Sequence, residues 1–306
     1  MDIMNSSKEI IPHLDFDLFD KDKTSLAKDT INAFHNYGFC VFFNHTIDKD
    51  LITNCLNLYQ KFFNYPDKIK ESFIVPNIGG ARGFTKFKTE TAKDYHQPDL
   101  KEFWHVGRDN INDPKNVWID DLENHKKLSL DLYNQFDLLG RDIMELIGIG
   151  LGLESNYFNK IIENGNSIMR IINYPKIENI KTDSQRASPH EDINFITLLI
   201  GGHQPGLEVR NGDNWIKADF SRDEIVVNIG DMLQRFTNRY LKSATHRVNN
   251  GTEMNTQRIS IPFFLHPRSD FLIKPLESLL GKHNYYPDPI TADDYLNQRL
   301  EEIKLK

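Results

Sequence analysis

Four side chains in this 306-residue sequence have types and spacings suited to redox chemistry at a metal ion. His190 and Asp192 stand two apart in SPHEDINFITLLI, His246 follows far downstream in LKSATHRV, and Arg258 lies in QRISIPFF. Alternate side chains of a strand share a face, so a strand through the triplet presents His190 and Asp192 together and sends Glu191 to the other side. A neighbouring strand carrying His246 would complete two imidazoles and one carboxylate on one face of an ion. That set leaves coordination positions free and suits non-haem Fe(II) that must also bind a co-substrate and O2. Catalytic zinc on the same ligands is the competitor. A closed structural zinc site needs a fourth ligand, usually cysteine, and Cys40 and Cys55 are far away in the sequence. In a chain with 11 histidines an H-x-D triplet is weak by itself, and His13, His35, His45, His125, His203, His266 and His283 read as surface or locally satisfied histidines.

Arg258 changes the weighting. By the same alternation Arg258 and Ser260 point to one side of their strand. An arginine facing a barrel interior is costly to bury unless it is paired. A dicarboxylate co-substrate would supply that pair as a bidentate bond, with the Ser260 hydroxyl beside it. An internal bridge to Asp or Glu is the ordinary alternative.

The elements that must position these residues can be read from periodicity. Residues 9–16 form a short edge strand in which Pro12 is tolerated. Lys23–Tyr37 has helical spacing and stops at Gly38; the strand FCVFFN follows, then a helix capped by Asp48 and running to about Phe63. Pro66 opens a helical turn that ends near Ser72, residues 76–99 are loop with one strand at GFTKF, and KEFWHVGR is a strand. Asp120–Gly148 is the longest amphipathic segment, its apolar positions recurring at Leu128, Leu132, Phe136, Leu139, Ile143 and Leu146. From Ser167 onward short strands recur between Gly, Asn, Asp and Pro turns, one of them the Asn211-Gly212 hairpin, which predicts an all-β sandwich or barrel. Thr291–Lys304 is again helical. No repeat or linker divides the chain, so one domain is expected.

Composition narrows the class. A net charge of −7 without a basic stripe argues against nucleic acid as a partner. No apolar run is long enough to span a bilayer, and the opening MDIMNSSKEII has no signal-peptide pattern. Cys40 and Cys55 lie in apolar surroundings and read as buried free thiols of a reducing compartment, so a cytoplasmic protein is expected, with a monomer as the favoured oligomeric state.

With these residues in view, the chain resembles the isopenicillin N synthase-like family of Fe(II)- and 2-oxoglutarate-dependent oxygenases over nearly its whole length. The resemblance rests on IPHLDF, on NYGFCVFFNHTI (Gly38, Phe39, Asn44, His45), on KFFNYPDKIK and DLKEFWHVGR. It rests further on GLEV, VVNIGDMLQRFTN, LKSATHRV and RISIPFF, and on the closing ITADDYLNQRL. The resemblance implies a mainly β fold with flanking helices, a distorted double-stranded β-helix (jelly roll). It places an N-terminal helical and edge-strand region at 1–160, the jelly-roll catalytic core at 167–268 and a helical tail at 270–306. It implies His190, Asp192 and His246 as metal ligands, and Arg258, Ser260 and Tyr174 at the distal carboxylate of 2-oxoglutarate. Many relatives carry asparagine where this chain has Ile172, two residues before Tyr174, so part of that contact differs. Asn228, Gly230 and Asp231 match positions read as a structural turn between strands. The implied reaction takes O2, releases succinate and CO2, and hydroxylates a small-molecule substrate. Arg82, Phe103, His105, Asn194 and Phe195 fall where the family builds its substrate pocket; core packing is the alternative for Phe103 and Phe195, and a solvated loop for Arg82. Two other functions share these residues: an Fe(II)-dependent oxidase without 2-oxoglutarate, as in isopenicillin N synthase and aminocyclopropane-carboxylate oxidase, and a non-catalytic metal-binding jelly roll.

Overall fold

The computed structural model of the chain describes residues 10–93, 95–109, 114–177, 184–202, 206–250 and 256–302. His203, and the outer ends of the expected first strand and last helix, lie outside the described residues. Helices and strands mix in the first half: β1 (His13–Asp15), α1 (Leu18–Lys21), α2 (Lys23–Asn36), β2 (Phe39–Phe43), α3 (Lys49–Phe63), α4 (Asp67–Glu71), β3 (Gly83–Thr85), β4 (Glu102–Gly107), α5 (His125–Gly150) and α6 (Asn159–Ile162). Strands dominate the second: β5 (Ile168–Tyr174), β6 (Ala187–His190), β7 (Ile196–Gly201), β8 (Leu207–Asn211), β9 (Asn214–Lys217), β10 (Ile225–Ile229), α7 (Asp231–Phe236), β11 (His246–Val248) and β12 (Arg258–Leu265). The pair β13 (Leu272–Ile273) and β14 (Ile290–Thr291) precedes α8 (Ala292–Glu302).

Two sheets build the jelly roll. The larger runs β1-β2-β10-β7-β12-β5-β4-β3 and the smaller β6-β11-β8-β9. The larger sheet is mixed, because β1 pairs with β2 in parallel while β2 and β10 are antiparallel. Its two ends come from the N-terminal half of the chain, which is therefore woven into the roll as well as laid over it.

Strand alternation sorts the side chains of the larger sheet into two worlds. One face meets the helices: Cys40 and Phe42, Trp104 and Val106, Met169 and Ile171, Ile196, Leu198 and Ile200, Ile225, Val227 and Ile229, and Ile261, Phe263 and Leu265 share one core with α2, α3 and α5. The other face meets the smaller sheet in two lesser clusters. Phe39, Val41 and Val226 pack on Leu207, Val209 and Ile216. Phe103, Ile172 and Tyr174 pack on Ala187 and Val248. The polar residues between those clusters are the ones that face the interior of the roll.

Local chemistry sets the helix ends. The Asp22 side chain accepts from Ser25 N at the start of α2, and Asp48 accepts from Asp50 N and Leu51 N at the start of α3. Gly38, beyond α2, has φ +72°, and a Cβ there would lie 2.4 Å from the Lys242 carbonyl, so only glycine fits the stop. The long helix begins at His125, five residues later than its apolar spacing predicts, because Asn124 adopts a left-handed conformation (φ 62°) that no right-handed helix can contain. Asp231, expected in a turn between strands, instead opens the short helix α7. Cys40 and Cys55 are buried free thiols. Among the described residues no helix is long and apolar enough to cross a membrane.

The Phe136 ring of α5 stacks on Phe263 of β12 with centroids 5.3 Å apart, and Tyr133 meets the same ring edge-on. Phe136→Ala is expected to cost about 3–5 kcal/mol of stability by opening a cavity between helix and sheet. The shift of the urea unfolding midpoint at unchanged slope measures it.

Candidate active site

Strands β6 and β11 are antiparallel neighbours, and His190 lies opposite His246. Their rings are 4.4 Å apart. One ligand atom each from His190, Asp192 and His246 lies within 4.8 Å of the others. Each histidine is oriented from behind: His190 Nδ1 is 2.7 Å from the Ser188 carbonyl and His246 Nδ1 is 3.2 Å from that of Ala244. A carbonyl oxygen only accepts, so each Nδ1 carries its proton and each Nε2 keeps a lone pair for a metal. Burial first, and the His190 imidazole second, push His246 down to about 4, so it is a neutral imidazole near pH 7.

Asp192 reaches the site by a route different from the alternation the sequence predicts. Strand β6 ends at His190, and a bulge sets its stretch from Ala187 to His190 against the shorter stretch of β11 from Val248 to His246. Asp192 lies in the loop beyond, tied down where Asp231 N donates to its carbonyl at 2.7 Å. Its Oδ2 accepts from Thr197 Oγ1 at 2.6 Å and from Asn228 Nδ2 at 2.8 Å. Burial works against the ionised carboxyl, but His246, His190 and these two bonds together hold it below its ordinary range. Glu191 is turned away and accepts from Thr245 Oγ1. A buried carboxylate and two imidazoles with bare Nε2 atoms form a donor set that fits Fe(II).

The carboxylate end of the site is built on β12 and β5, where Arg258 pairs with Tyr174 and Ser260 with Ile172. Arg258 is 2% exposed and sits 5.1 Å from the centre of the Tyr174 ring. Its Nη1 lies 3.4 Å from Ser260 Oγ, its Nε has no partner, and no carboxylate pairs with it among the described residues. Gly202 forms the floor: with φ +63°, a Cβ there would come 2.5 Å from Arg258 Nη2. A buried guanidinium with a free Nε and no carboxylate partner among the described residues, in a cradle only glycine permits, fits a ligand carboxylate.

The residues expected at the substrate pocket separate into three kinds. Phe103 and His105 belong to the interior-facing side of β4, their rings 4.8 Å apart. His105 is occupied at both nitrogens: Nδ1 meets the Gly80 carbonyl at 2.6 Å, and Nε2 accepts from Arg170 Nε at 2.6 Å. Burial first, then Arg170, hold it well below its usual range, hence neutral. Arg82 is not a solvated loop residue. It is 1% exposed, donates to the Ala81 carbonyl, and covers Gly107 so closely that a Cβ there would lie 2.0 Å from its Cζ. Asn194 and Phe195 are placed differently from the pocket-wall expectation, because the chain after Asp192 turns into β7. Asn194 donates to Ile196 O and Thr197 Oγ1 and so braces Thr197, while Phe195 packs among Phe158, Phe236 and Phe271 in the main core.

Several contributors escape sequence reasoning. Arg170 lies over Phe103 and bonds Glu90; Lys101 bridges Glu90 and Asp99; Asp99 accepts from Ser188 N and Oγ, two residues before His190. Arg170 in IMRIINY and Thr197 in ITLLIG share one signal, a polar side chain at the alternate positions of an otherwise apolar strand, and Asn228, expected in a turn, lies in β10 with the same signal.

Comparisons with known proteins agree with this geometry. The sequence profile of the 2OG-Fe(II) oxygenase superfamily matches residues 165–267, and that of the non-haem dioxygenase in morphine synthesis N-terminal region matches residues 11–125. The chain is 30% identical to the proline hydroxylase buaE of Petromyces alliaceus, over 88% of this chain and 90% of that one. Its fold is similar to that of a Caulobacter crescentus protein described as of the 2OG-Fe(II) oxygenase family, with 39% identity, a TM-score of 0.88 and coverage of 96% and 99%. A full-length Neurospora crassa protein solved in complex with alpha-KG is 28% identical with a TM-score of 0.88, covering 97% of each chain, and a second structure of it also holds thymine. By these matches, and by the two-histidine, one-carboxylate site they fall on, the chain belongs to the 2OG-Fe(II) oxygenase superfamily and is an iron(II)- and 2-oxoglutarate-dependent oxidoreductase.

Proposed function

We propose that the chain hydroxylates a small molecule, with His190, Asp192 and His246 holding Fe(II), and Arg258, Ser260 and Tyr174 holding the distal carboxylate of 2-oxoglutarate. One observation carries the reading: the three-residue cluster shares the interior of the roll with a buried guanidinium that has no protein carboxylate to pair with among the described residues. Iron bound there supplies, with 2-oxoglutarate and O2, oxidation of a substrate C–H bond coupled to release of succinate and CO2.

The chain's own residues bind and orient. Thr197 and Asn228 occupy one carboxylate oxygen of Asp192 and so fix its plane. The carbonyls of Ser188 and Ala244 fix the tautomer of each histidine. Ile172 and Phe103 give the interior an apolar wall that keeps water from the site. No side chain is assigned as general base, since the proposed reaction needs none. Phe103, beneath the Arg170 guanidinium, is our candidate for contact with substrate, and His105 and Arg82 orient the elements around it. We read the whole chain as one catalytic unit, a monomer in a reducing cytoplasm where Cys40 and Cys55 stay as thiols.

With Fe(II), 2-oxoglutarate and O2 but no substrate, the protein is expected to release succinate slowly. Chelation of the metal should stop this release, and bound iron with no succinate would point to an oxidase that does not use 2-oxoglutarate. His190→Ala and Asp192→Ala are expected to lose iron, measured by metal analysis after desalting, whereas Glu191→Ala keeps it. Loss with Glu191→Ala and retention with Asp192→Ala would reverse the ligand assignment. Thr197→Val, which removes one bond to Asp192 without changing shape, is expected to weaken metal affinity about 10–100-fold by competitive chelator titration.

A further inference from the structure

Among the described residues, the buried Lys70 and Lys101 and the partly buried Arg170 sit against acids. Lys70 meets Glu102 at 2.8 Å, Lys101 meets Glu90 and Asp99, and Arg170 meets Glu90. At the carboxylate end of the active site the pattern breaks twice. Arg258 is one case. The other is Arg186, one residue before β6, 3% exposed. Its Nη2 donates to the Thr256 carbonyl at 2.8 Å, two residues before Arg258 in the chain, and its backbone N donates to Asn250 Oδ1 at 2.9 Å. Its Nε has no partner, and no carboxylate pairs with it among the described residues. Arg186 lies close enough to the Arg258 guanidinium and to the Tyr174 hydroxyl to feel both electrostatically. The Tyr174 side chain is thus within the field of two guanidinium groups that repel one another. Two buried like charges in a poorly screened interior call for an anion near both.

We propose that Arg186 is a second guanidinium of the co-substrate site, acting with Arg258 on the distal carboxylate of 2-oxoglutarate and thereby selecting dicarboxylic over monocarboxylic 2-oxo acids. The assignment rests on the reading given under Proposed function. It explains how the site holds its co-substrate where Ile172 offers only an aliphatic surface beside Tyr174. The Thr256 bond fixes Arg186 in place from behind, as the Gly202 cradle fixes Arg258. The carboxylate meets two prepositioned donors rather than having to gather them.

The test compares two ligands that differ only at the far end: 2-oxoglutarate, and 2-oxovalerate, which carries a methyl group in place of the distal carboxylate. Binding to the Fe(II)-loaded full chain without oxygen is measured by calorimetry. Arg186→Gln removes the charge but keeps an N–H for the Thr256 carbonyl. It is expected to raise the Kd of 2-oxoglutarate by about thirtyfold while that of 2-oxovalerate changes by less than about twofold. Arg186→Lys, which keeps the charge but not the fork, is expected to fall between wild type and the Gln variant, and it serves alone if the Gln variant does not fold. A ratio of the two Kd values unchanged from wild type overturns the proposal and leaves Arg186 as a tie to Thr256. A wild-type chain that binds 2-oxoglutarate no better than 2-oxovalerate overturns the carboxylate site itself, Arg258 included, and is distinguishable because it appears before any substitution is made.

Discussion

The two-sidedness of the larger sheet is the constraint on which the rest depends. Each of its central strands must satisfy a helical layer with one set of side chains and the interior of a roll with the other. The apolar demand of the helix side is strict: from Cys40 and Phe42 through Ile225, Val227 and Ile229 to Ile261, Phe263 and Leu265, every second residue feeds one core. The intervening positions are thereby freed for chemistry. Thr197, Asn228, Arg258 and Ser260 all occupy them, Thr197 and Asn228 each flanked on both sides by residues of the core. A one-residue slip of any of these strands would bury the polar set among the helices and turn the core into the site, so core packing and site register are the same specification.

Electrostatics divide the interior in two. On the side of β4 and β5, Glu90, Asp99, Lys101 and Arg170 form a closed network whose charges cancel, and burial of each is offset by its neighbours. Coulombic attraction from Arg170 and Lys101 holds the Glu90 carboxyl far below its ordinary range despite the opposing cost of burial. Through Asp99 and Ser188 that network also fixes the backbone that orients His190. Around Tyr174 no carboxylate among the described residues offsets Arg258 and Arg186. A neutral, fully bonded network suits a scaffold, while an uncompensated pair of guanidinium groups suits a ligand that arrives with the missing charge.

Much of the fold is legible in the sequence because periodicity is local. The edge strand, the helices capped by Asp22 and Asp48, the stop at Gly38 and the succession of short strands after Ser167 all follow from residues within a few positions of one another. The start of the long helix is not legible, because one residue, Asn124, takes a backbone conformation that apolar spacing does not reveal. Strand alternation selects Asp192 over Glu191, yet the strand stops at His190. The placement of Asp192 comes from Thr197, Asn228 and the start of α7, none of which is adjacent in sequence. The family resemblance suggests a pocket position for Phe195, which belongs instead to the core, since the turn into β7 carries it to the helix side.

The sequence by itself determined which residue types could bind a metal and an acid, the period of each strand, and therefore which residues share a face. These are properties of the covalent chain and its short-range sterics. Only the tertiary structure decided which faces meet: that β6 lies beside β11 with His190 opposite His246, that a bulge brings Ala187 and His190 to the same side, and that Arg186 approaches Tyr174 and Arg258 while finding no acid among the described residues. Strand order, register and the pairing of buried charges depend on contacts between residues far apart in the chain, and those are settled by packing and desolvation of the whole molecule rather than by any local pattern.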